Sequence, residues 1–430
     1  MLLNMDRRIY ESCVTVLKEE LLPAMGCTEP IAVAYAAALA RDTLGELPER
    51  VSISVSGNIL KNVKGVVVPG TGGLKGIISA AAAGIVAGDH TLQLEVISKL
   101  TEKDIPKIGE YMKTAAFKVS QSRSDCIFDI AVTVCSSRHE ASVRIAGHHT
   151  NVVYIRRDGE DILNKDFAGE QTAPQGADRS LLTVENIYEF AERVELSDVE
   201  ELLDRQIEYN TAIAREGLKN DYGARIGKII LNSFGNDIYN VAKGTAAAGS
   251  DARMNGCALP VVIVSGSGNQ GMTASLPVIV FADHLKASRE KLLRALVLSD
   301  LITIHLKTGI GRLSAYCGVV SAGCGAGAGV CYLYGGGLKE ISATIHNALA
   351  IDSGLICDGA KSSCAAKIAS AVEAGLLGME MSRNGSVFSS GDGIMGDGVE
   401  NTIDNVSDVA RIGMRGTDEE IIRLMVKNIK

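Results

Sequence analysis

The chain has 430 residues, and its 43 Lys and Arg against 51 Asp and Glu give a formal net charge of −8 at pH 7. An acidic chain of this kind offers no basic surface for nucleic acid or an acidic membrane, so we expect a small-molecule partner. The N-terminal residues lack the apolar core and small-residue cleavage site of a signal peptide. Ten cysteines without such a signal indicate free thiols in the reducing cytoplasm rather than a disulfide framework.

The N-terminal third of the sequence changes from helical to strand-like periodicity. Apolar residues recur at helical spacing over 8–45. From residue 51, valine and isoleucine alternate with serine, which predicts a strand over 51–56. A second strand is predicted over 66–68, followed by a glycine-rich loop and a helix over 77–87.

Three more short apolar runs predict strands of an antiparallel meander at 128–134, 141–146 and 152–156. The stretch 165–180 is rich in Gly, Gln, Pro and Asp and predicts a domain boundary. Helical patterns follow it at 184–216, 225–248, 289–306, 314–333, 338–350 and 363–376. We therefore expect an α+β protein, in which a mainly helical domain of residues 1–47 and 166–430 carries an inserted, smaller α+β domain of residues 48–165.

The stretch 313–338 contains no charged residue. A membrane span with a small-residue face is one interpretation of such a run. Its Gly, Ala, Ser and Cys residues are only weakly hydrophobic, so we expect a tightly packed buried helix instead. The sequence leaves open whether the chain forms a homo-oligomer.

The first segment that could carry catalytic or metal-binding chemistry is Gly26-Cys-Thr-Glu-Pro30, which has the residue types of a helix start. A helix N-terminus favours a thiolate, so Cys27 has the surroundings of a nucleophile, a general base or a metal ligand. A helix start that simply contains a buried cysteine is the alternative interpretation.

Two further segments carry clustered cysteines. Cys317, Cys324 and Cys331 recur every seven residues, which places neighbours about 10.5 Å apart along a helix, so at most one of them binds a given centre. Between Cys357 and Cys364 a glycine allows the chain to fold back. Cys317, Cys357 and Cys364 together would supply three thiolates, a number suited to an iron–sulfur cluster with one open iron. Soft thiolate ligands would also accept zinc.

A fourth segment, Ser265-Gly-Ser-Gly-Asn-Gln-Gly271, precedes an apolar run but fits neither a Walker loop nor a dinucleotide fingerprint. Backbone amides and short hydroxyl groups at a helix start can hold a carboxylate instead. A purely structural glycine turn explains the segment equally well. The pair His148-His149 is predicted to lie at the surface.

In this order, Gly26-Cys-Thr-Glu-Pro30, Gly268-Asn-Gln-Gly-Met-Thr-Ala274, Gly311-Arg-Leu-Ser-Ala-Tyr-Cys-Gly318 and Cys357-Asp-Gly-Ala-Lys-Ser-Ser-Cys364 resemble one family. It is the family of the L-cysteine desulfidases, relatives of the iron–sulfur L-serine dehydratase α chain. The resemblance implies a [4Fe–4S] enzyme without pyridoxal phosphate. It implies Cys317, Cys357 and Cys364 as cluster ligands and Cys27 as the base. The gap of seven residues between the last two ligands is shorter than in serine dehydratases and favours the desulfidase branch.

The reaction implied by this resemblance is α,β-elimination on L-cysteine to give sulfide, ammonia and pyruvate. For the substrate carboxylate or the electrostatics of the cluster, loop chemistry suggests Ser265, Ser267, Asn269, Lys307 and Arg312. An iron–sulfur L-serine or L-threonine dehydratase is the alternative within enzymes. A non-catalytic cluster-binding or zinc-binding sensor is the alternative from another class.

Overall fold

In a computed structural model of the chain, the structure describes residues 5–122, 124, 126–165, 167, 177–311 and 313–427. The predicted α+β class is confirmed: many helices accompany one six-stranded sheet and one two-stranded sheet. The strands of the larger sheet all fall between residues 50 and 164. Much of the predicted boundary region 165–180 lies outside the described residues, and the division into two domains stays a prediction.

The helices in the first half of the chain are α1 (Arg7–Glu20), α2 (Thr28–Leu44), α3 (Gly57–Val63), α4 (Gly76–Ala87), α5 (Asp104–Thr114), α6 (Val184–Arg193) and α7 (Glu200–Lys219). Those in the second half are α8 (Ile226–Phe234), α9 (Ile238–Met254), α10 (Gly268–His284), α11 (Arg289–Ile310), α12 (Val319–Leu333), α13 (Leu338–Ile351), α14 (Cys364–Arg383), α15 (Gly398–Asp408) and α16 (Arg415–Lys427). The strands are β1 (Pro23–Met25), β2 (Arg50–Val55), β3 (Ala116–Gln121), β4 (Asp129–Cys135), β5 (Glu140–Ala146), β6 (Val152–Arg157), β7 (Glu160–Asn164) and β8 (Pro260–Val262).

The larger sheet has the order β3-β2-β4-β5-β6-β7. β2 and β3 run parallel, and all the other neighbours pair antiparallel, so the predicted meander is present. In β2, Val51, Ile53 and Val55 are buried on one face, as their alternation with serine predicts. The alanine-rich helix α2 covers the sheet at β4 and β5, and small side chains let α4 pack closely beside it.

The uncharged stretch forms α12, which is buried along nearly its whole length between α11, α14 and α10. Its glycines allow backbones to meet: a Cβ on Gly323 would lie 2.2 Å from the carbonyl oxygen of Ala371 in α14. Small residues here serve helix packing, as expected. Among the residues that the structure describes, no helix combines the length and the apolar character needed to cross a membrane.

Several predicted elements differ from the observed ones. The helix predicted over 8–45 is interrupted by β1, which pairs with the distant β8. The helix predicted over 225–248 breaks at Gly235, where φ is +94°, before Asp237 caps α9. The predicted strand 66–68 forms only a single bridge between Val67 and Lys75. The strand β3 was not predicted, because its alternation is confined to Phe117 and Val119 and its residues are mostly exposed.

Candidate active site

One cavity gathers the cysteine segments that the sequence predicts to carry chemistry. It encloses about 850 Å³ of space, counting its opening to solvent. The predicted site residues on its wall are Cys27, Ser265, Ser267, Asn269, Lys307, Cys317, Cys357 and Cys364. Arg312 lies outside the described residues. Cys324 and Cys331 are buried in α12 away from this wall.

Cys317 and Cys357 lie side by side because their two loops pair. An antiparallel bridge joins Tyr316 to Ile356, the amide of Cys317 donates to Leu355 O at 2.8 Å, and the amide of Cys357 donates to Ala315 O at 2.6 Å. The two thiols share a hydrogen bond, which together with burial raises the pKa of Cys317 well above its ordinary value. The same hydrogen bond lowers the pKa of Cys357 against the effect of burial. The pair is therefore set to hold one thiolate.

Cys364 reaches the same wall as the first residue of α14. The loop before it turns at Gly359, where φ is +95°, a conformation that glycine adopts without strain. The Cys364 thiol lies 3.7 Å from the carbonyl oxygen of Gly359, so the chain folds back between Cys357 and Cys364 as the glycine predicts. Burial raises the pKa of the Cys364 thiol.

Positive charge surrounds the Cys357 loop. Lys61 Nζ lies 3.5 Å from the carbonyl oxygen of Cys357 and 2.5 Å from a carboxylate oxygen of Asp418 in α16. Lys367 Nζ donates to Ile356 O at 2.5 Å and lies 2.6 Å from Asp358. Both ammonium groups favour the thiolate of Cys357 and lower its pKa. Such surroundings suit a ligand that brings several thiolates together.

The donor set is not arranged for a single metal ion. Within the described part of the chain, no three or more His, Cys, Asp and Glu side chains converge on one point. A zinc ion needs such convergence, since its ligands all bind one atom. A cluster binds each cysteine through a different iron, so its ligands stay apart around the cluster. The cavity wall supplies three thiols, the number that leaves one iron of a cluster open, although two of them share a hydrogen bond in this arrangement.

Cys27 caps α2 and lies in the cavity as a hydrogen-bond donor. Its thiol donates to Glu29 Oε2 at 3.0 Å, and Asn62 Nδ2 donates to the other carboxylate oxygen at 3.0 Å. Burial and the negative charge of Glu29 raise the pKa of Cys27 well above its ordinary value, although Arg253 works in the opposite direction. The expectation that the helix start favours a Cys27 thiolate is therefore wrong for this resting arrangement, because burial and Glu29 outweigh the helix N-terminus.

The loop before α10 carries polar groups into the cavity. Ser265 has a φ of +49°, and its hydroxyl is buried without a hydrogen-bond partner among the described residues. The side-chain oxygen Oδ1 of Asn269 accepts a hydrogen bond from Arg253 Nη1 at 3.1 Å. Lys307 donates to the carbonyl oxygen of Gly311 at the end of α11. Backbone amides at the start of α10 together with the Arg253 guanidinium form an anion-accepting corner.

Sequence reasoning missed several residues on this wall, among them Glu29, Lys61, Asn62, His149, Arg253 and Gln270. Arg253 is 2% exposed and lies in a run of small residues with no recognisable motif. The predicted surface position of His149 is wrong: it is 6% exposed, and its ring packs edge-on against Phe128 with centroids 4.7 Å apart. Glu29 stood within the Gly-Cys-Thr-Glu-Pro motif and Gln270 within the glycine-rich segment 265–271, so for these two residues the sequence did offer a signal.

The chain is similar to known proteins over most of its length. Residues 91–423 match the family model described as the serine dehydratase alpha chain. A UPF0597 protein of Desulfitobacterium hafniense (strain Y51) is 54% identical over 428 residues, 99% of both chains. A UPF0597 protein of Lachnoclostridium phytofermentans is 48% identical over 418 residues, 97% of this chain and 100% of the relative. A third, from Treponema denticola, is 43% identical over 431 residues, 99% of this chain and 100% of the relative.

The chain therefore belongs to the serine dehydratase alpha chain family. The family relationship predicted from the four motifs is confirmed at this level. The relatives named here carry family names that specify no substrate, so the choice of substrate rests on the site itself.

Proposed function

We propose that this protein is an iron–sulfur lyase that performs α,β-elimination on L-cysteine, without pyridoxal phosphate, and releases sulfide, ammonia and pyruvate. The observation that carries the proposal is that Cys27, Cys317, Cys357 and Cys364, from three separate segments, line one cavity. All ten cysteines are free thiols, which supports a location in the reducing cytoplasm.

Cys317, Cys357 and Cys364 would hold a [4Fe–4S] cluster. Held by three thiolates, such a cluster supplies one iron with an open position that acts as a Lewis acid toward the β substituent of the substrate. The ammonium groups of Lys61 and Lys367 offset part of the negative charge that the thiolates bring together. The hydrogen bond already shared by Cys317 and Cys357 supports the fit, since one of the two is poised to lose its proton.

The substrate carboxylate would dock at the start of α10. There the Arg253 guanidinium, the unpartnered Ser265 hydroxyl and the amides at the helix N-terminus offer hydrogen bonds to an anion. Arg253 is buried and makes no carboxylate ion pair within hydrogen-bond distance among the described residues, so a bound carboxylate would compensate its charge. This corner would fix the α carbon relative to the cysteines.

Cys27 would accept the α proton. It lies on the cavity wall and is 2% exposed, so its thiol has little contact with bulk water. Loss of the α proton and departure of the β sulfur leave an aminoacrylate, which tautomerises and hydrolyses to pyruvate and ammonia. The balanced reaction consumes one water and releases hydrogen sulfide.

An iron–sulfur L-serine or L-threonine dehydratase is the second candidate, and the description of the matched family favours it. Both reactions would use the same cysteines, and only the leaving group differs. The test compares kcat/KM for pyruvate release from L-cysteine and L-serine on protein loaded with its cluster under anaerobic conditions. The proposal expects the larger value for L-cysteine, and a larger value for L-serine would overturn it.

A further inference from the structure

Cys27 and Glu29 form a buried hydrogen-bonded pair, and this arrangement does not suit a Cys27 that acts as a base alone. The Cys27 thiol donates to Glu29 Oε2 at 3.0 Å, and the two side chains both line the cavity. A thiol that still holds its proton is a very weak base, because the thiolate is the form that accepts a proton. A base in this position needs somewhere to send the proton that it already carries.

The groups around Glu29 hold its carboxylate in the charged form. Asn62 of α3 donates to Oε1 at 3.0 Å, and the Thr28 hydroxyl lies 3.1 Å from Oε2 and 2.9 Å from the carbonyl oxygen of Gly266, which share its one proton. Burial alone would raise the pKa of Glu29, but the charges of His149, from the turn between β5 and β6, and of Arg253, from α9, combine with the Cys27 hydrogen bond to lower it. The resting pair is therefore a thiol beside a carboxylate.

We propose that Cys27 and Glu29 act as a proton relay, in which the α proton moves to Cys27 Sγ while the original thiol proton moves to Glu29 Oε2. This inference rests on the proposed elimination. The Cα–H and original S–H bonds break, a new S–H bond and a carboxyl O–H bond form, and the electron pair of the Cα–H bond becomes the new C–C π bond. The electron pair of the Cβ–S bond leaves with sulfur as hydrosulfide. The proton stored on Glu29 then returns through Cys27 to the departing hydrosulfide, which leaves as hydrogen sulfide.

The relay gives Glu29 a role that acts through Cys27, and this role predicts a different effect of removing Glu29 than a purely electrostatic role does. If Glu29 only opposed the thiolate, its removal would free Cys27 and raise the rate of turnover. In the relay, burial keeps Cys27 largely protonated even without Glu29, and turnover slows because the thiol proton has lost its acceptor. Glu29→Gln separates the two roles, since glutamine keeps the shape of the side chain and removes its charge.

The chain contains a matched control. Cys135 and Glu140 form a second Cys–Glu contact where β4 ends and β5 begins, with Sγ and Oε2 3.5 Å apart, and neither residue lines the cavity. Glu140→Gln removes the same kind of charge beside the same kind of thiol. It is expected to leave both turnover and the reactivity of Cys27 as in the wild-type protein.

The experiment has two measurements. In protein without cluster, the rate of Cys27 alkylation by iodoacetamide, followed by mass spectrometry at one pH, is expected to rise in Glu29→Gln. In cluster-loaded protein with wild-type iron content, kcat for sulfide release from L-cysteine is expected to fall about a hundredfold, the range of a lost acid–base partner. Unchanged or increased kcat in Glu29→Gln overturns the relay.

A second variant, Glu29→Asp, guards against a loading defect in the glutamine variant. It retains a carboxylate, so the relay expects its kcat to exceed that of Glu29→Gln by about tenfold or more. Equal kcat values for the two variants overturn the relay. Failure of the wild-type protein to release sulfide from L-cysteine would overturn the proposed function. Wild-type turnover that does not change in the Glu29 variants would overturn only the relay.

Discussion

Lys61 and Asp418 form an ion pair with Nζ and Oδ1 2.5 Å apart, which joins the cavity wall to the C-terminal helix α16. The Lys61 side chain is 1% exposed, whereas that of Asp418 is 15% exposed. The same ammonium group lies 3.5 Å from the carbonyl oxygen of Cys357. The C-terminal helix therefore helps to hold a positive charge beside a predicted cluster ligand.

Removal of this carboxylate is expected to destabilise the protein. Asp418→Asn leaves the Lys61 charge buried without its partner, and we expect a loss of roughly 2 kcal/mol in the free energy of unfolding, less than for a fully buried pair because Asp418 is partly exposed. Denaturant unfolding of the cluster-free protein measures the change. In the double variant with Lys61→Met, part of the loss should be recovered. Equal stability of Asp418→Asn and wild type would contradict the importance of the pair.

The three predicted ligands are expected to be individually required for iron binding. Changing Cys317, Cys357 or Cys364 to alanine should lower the iron and acid-labile sulfide retained after anaerobic reconstitution to near background, since in the proposed site each thiolate would bind a different iron. Cys324→Ala is the control, because Cys324 is a buried cysteine of the same region of the chain that lies away from the cavity wall. Wild-type iron content in the Cys357→Ala protein would contradict the ligand assignment.

Arg253 is expected to act on substrate binding. Arg253→Lys keeps the charge but loses the planar fork that donates twice to a carboxylate, so KM for L-cysteine should rise about tenfold while kcat changes less. Iron content serves as the check that the site is intact. An unchanged KM would place the carboxylate elsewhere in the cavity.

Stability should depend on pH through Asp300 in α11. This carboxyl is fully buried and accepts a hydrogen bond from Gln206 at 2.9 Å, and burial raises its pKa to about 7. Because the folded protein holds this proton more tightly than the unfolded chain, stability falls as pH rises from about 4 to about 7. Asp300→Asn removes this dependence and should be more stable than wild type at pH 8 by up to about 4 kcal/mol. Denaturant unfolding of both proteins at pH 5 and at pH 8 measures the difference in their free energies of unfolding. A difference that does not grow from pH 5 to pH 8 would contradict this prediction.

The fold was predictable where a pattern repeats within one element. Alternation marked β2 and the meander of β4 to β6, and the uncharged run marked α12. The breaks at β1 and at Gly235 were not predicted, because a short strand pairs with a distant partner and a single residue ends a helix without altering the apolar spacing around it. A tertiary partner decides the first feature, and the backbone conformation of one glycine decides the second.

The site was predictable in its cysteines and not in its charges. Cys27, Cys317, Cys357 and Cys364 stand in loops or at helix starts with distinctive neighbours, so their residue types were informative before any contact was known. Glu29 excepted, the charged and polar residues around Cys27 come from segments that share no motif and no spacing. Asn62, His149 and Arg253 meet only because α3, the turn before β6 and α9 pack around one cavity.

The most direct test of the account measures iron content and sulfide release together in Cys27→Ala protein. The account predicts that this variant keeps the iron of the wild-type protein and releases no sulfide from L-cysteine, because Cys27 handles the proton and binds no iron. Sulfide release at the wild-type rate would contradict the role of Cys27, and loss of iron would contradict the division between one catalytic thiol and three ligands.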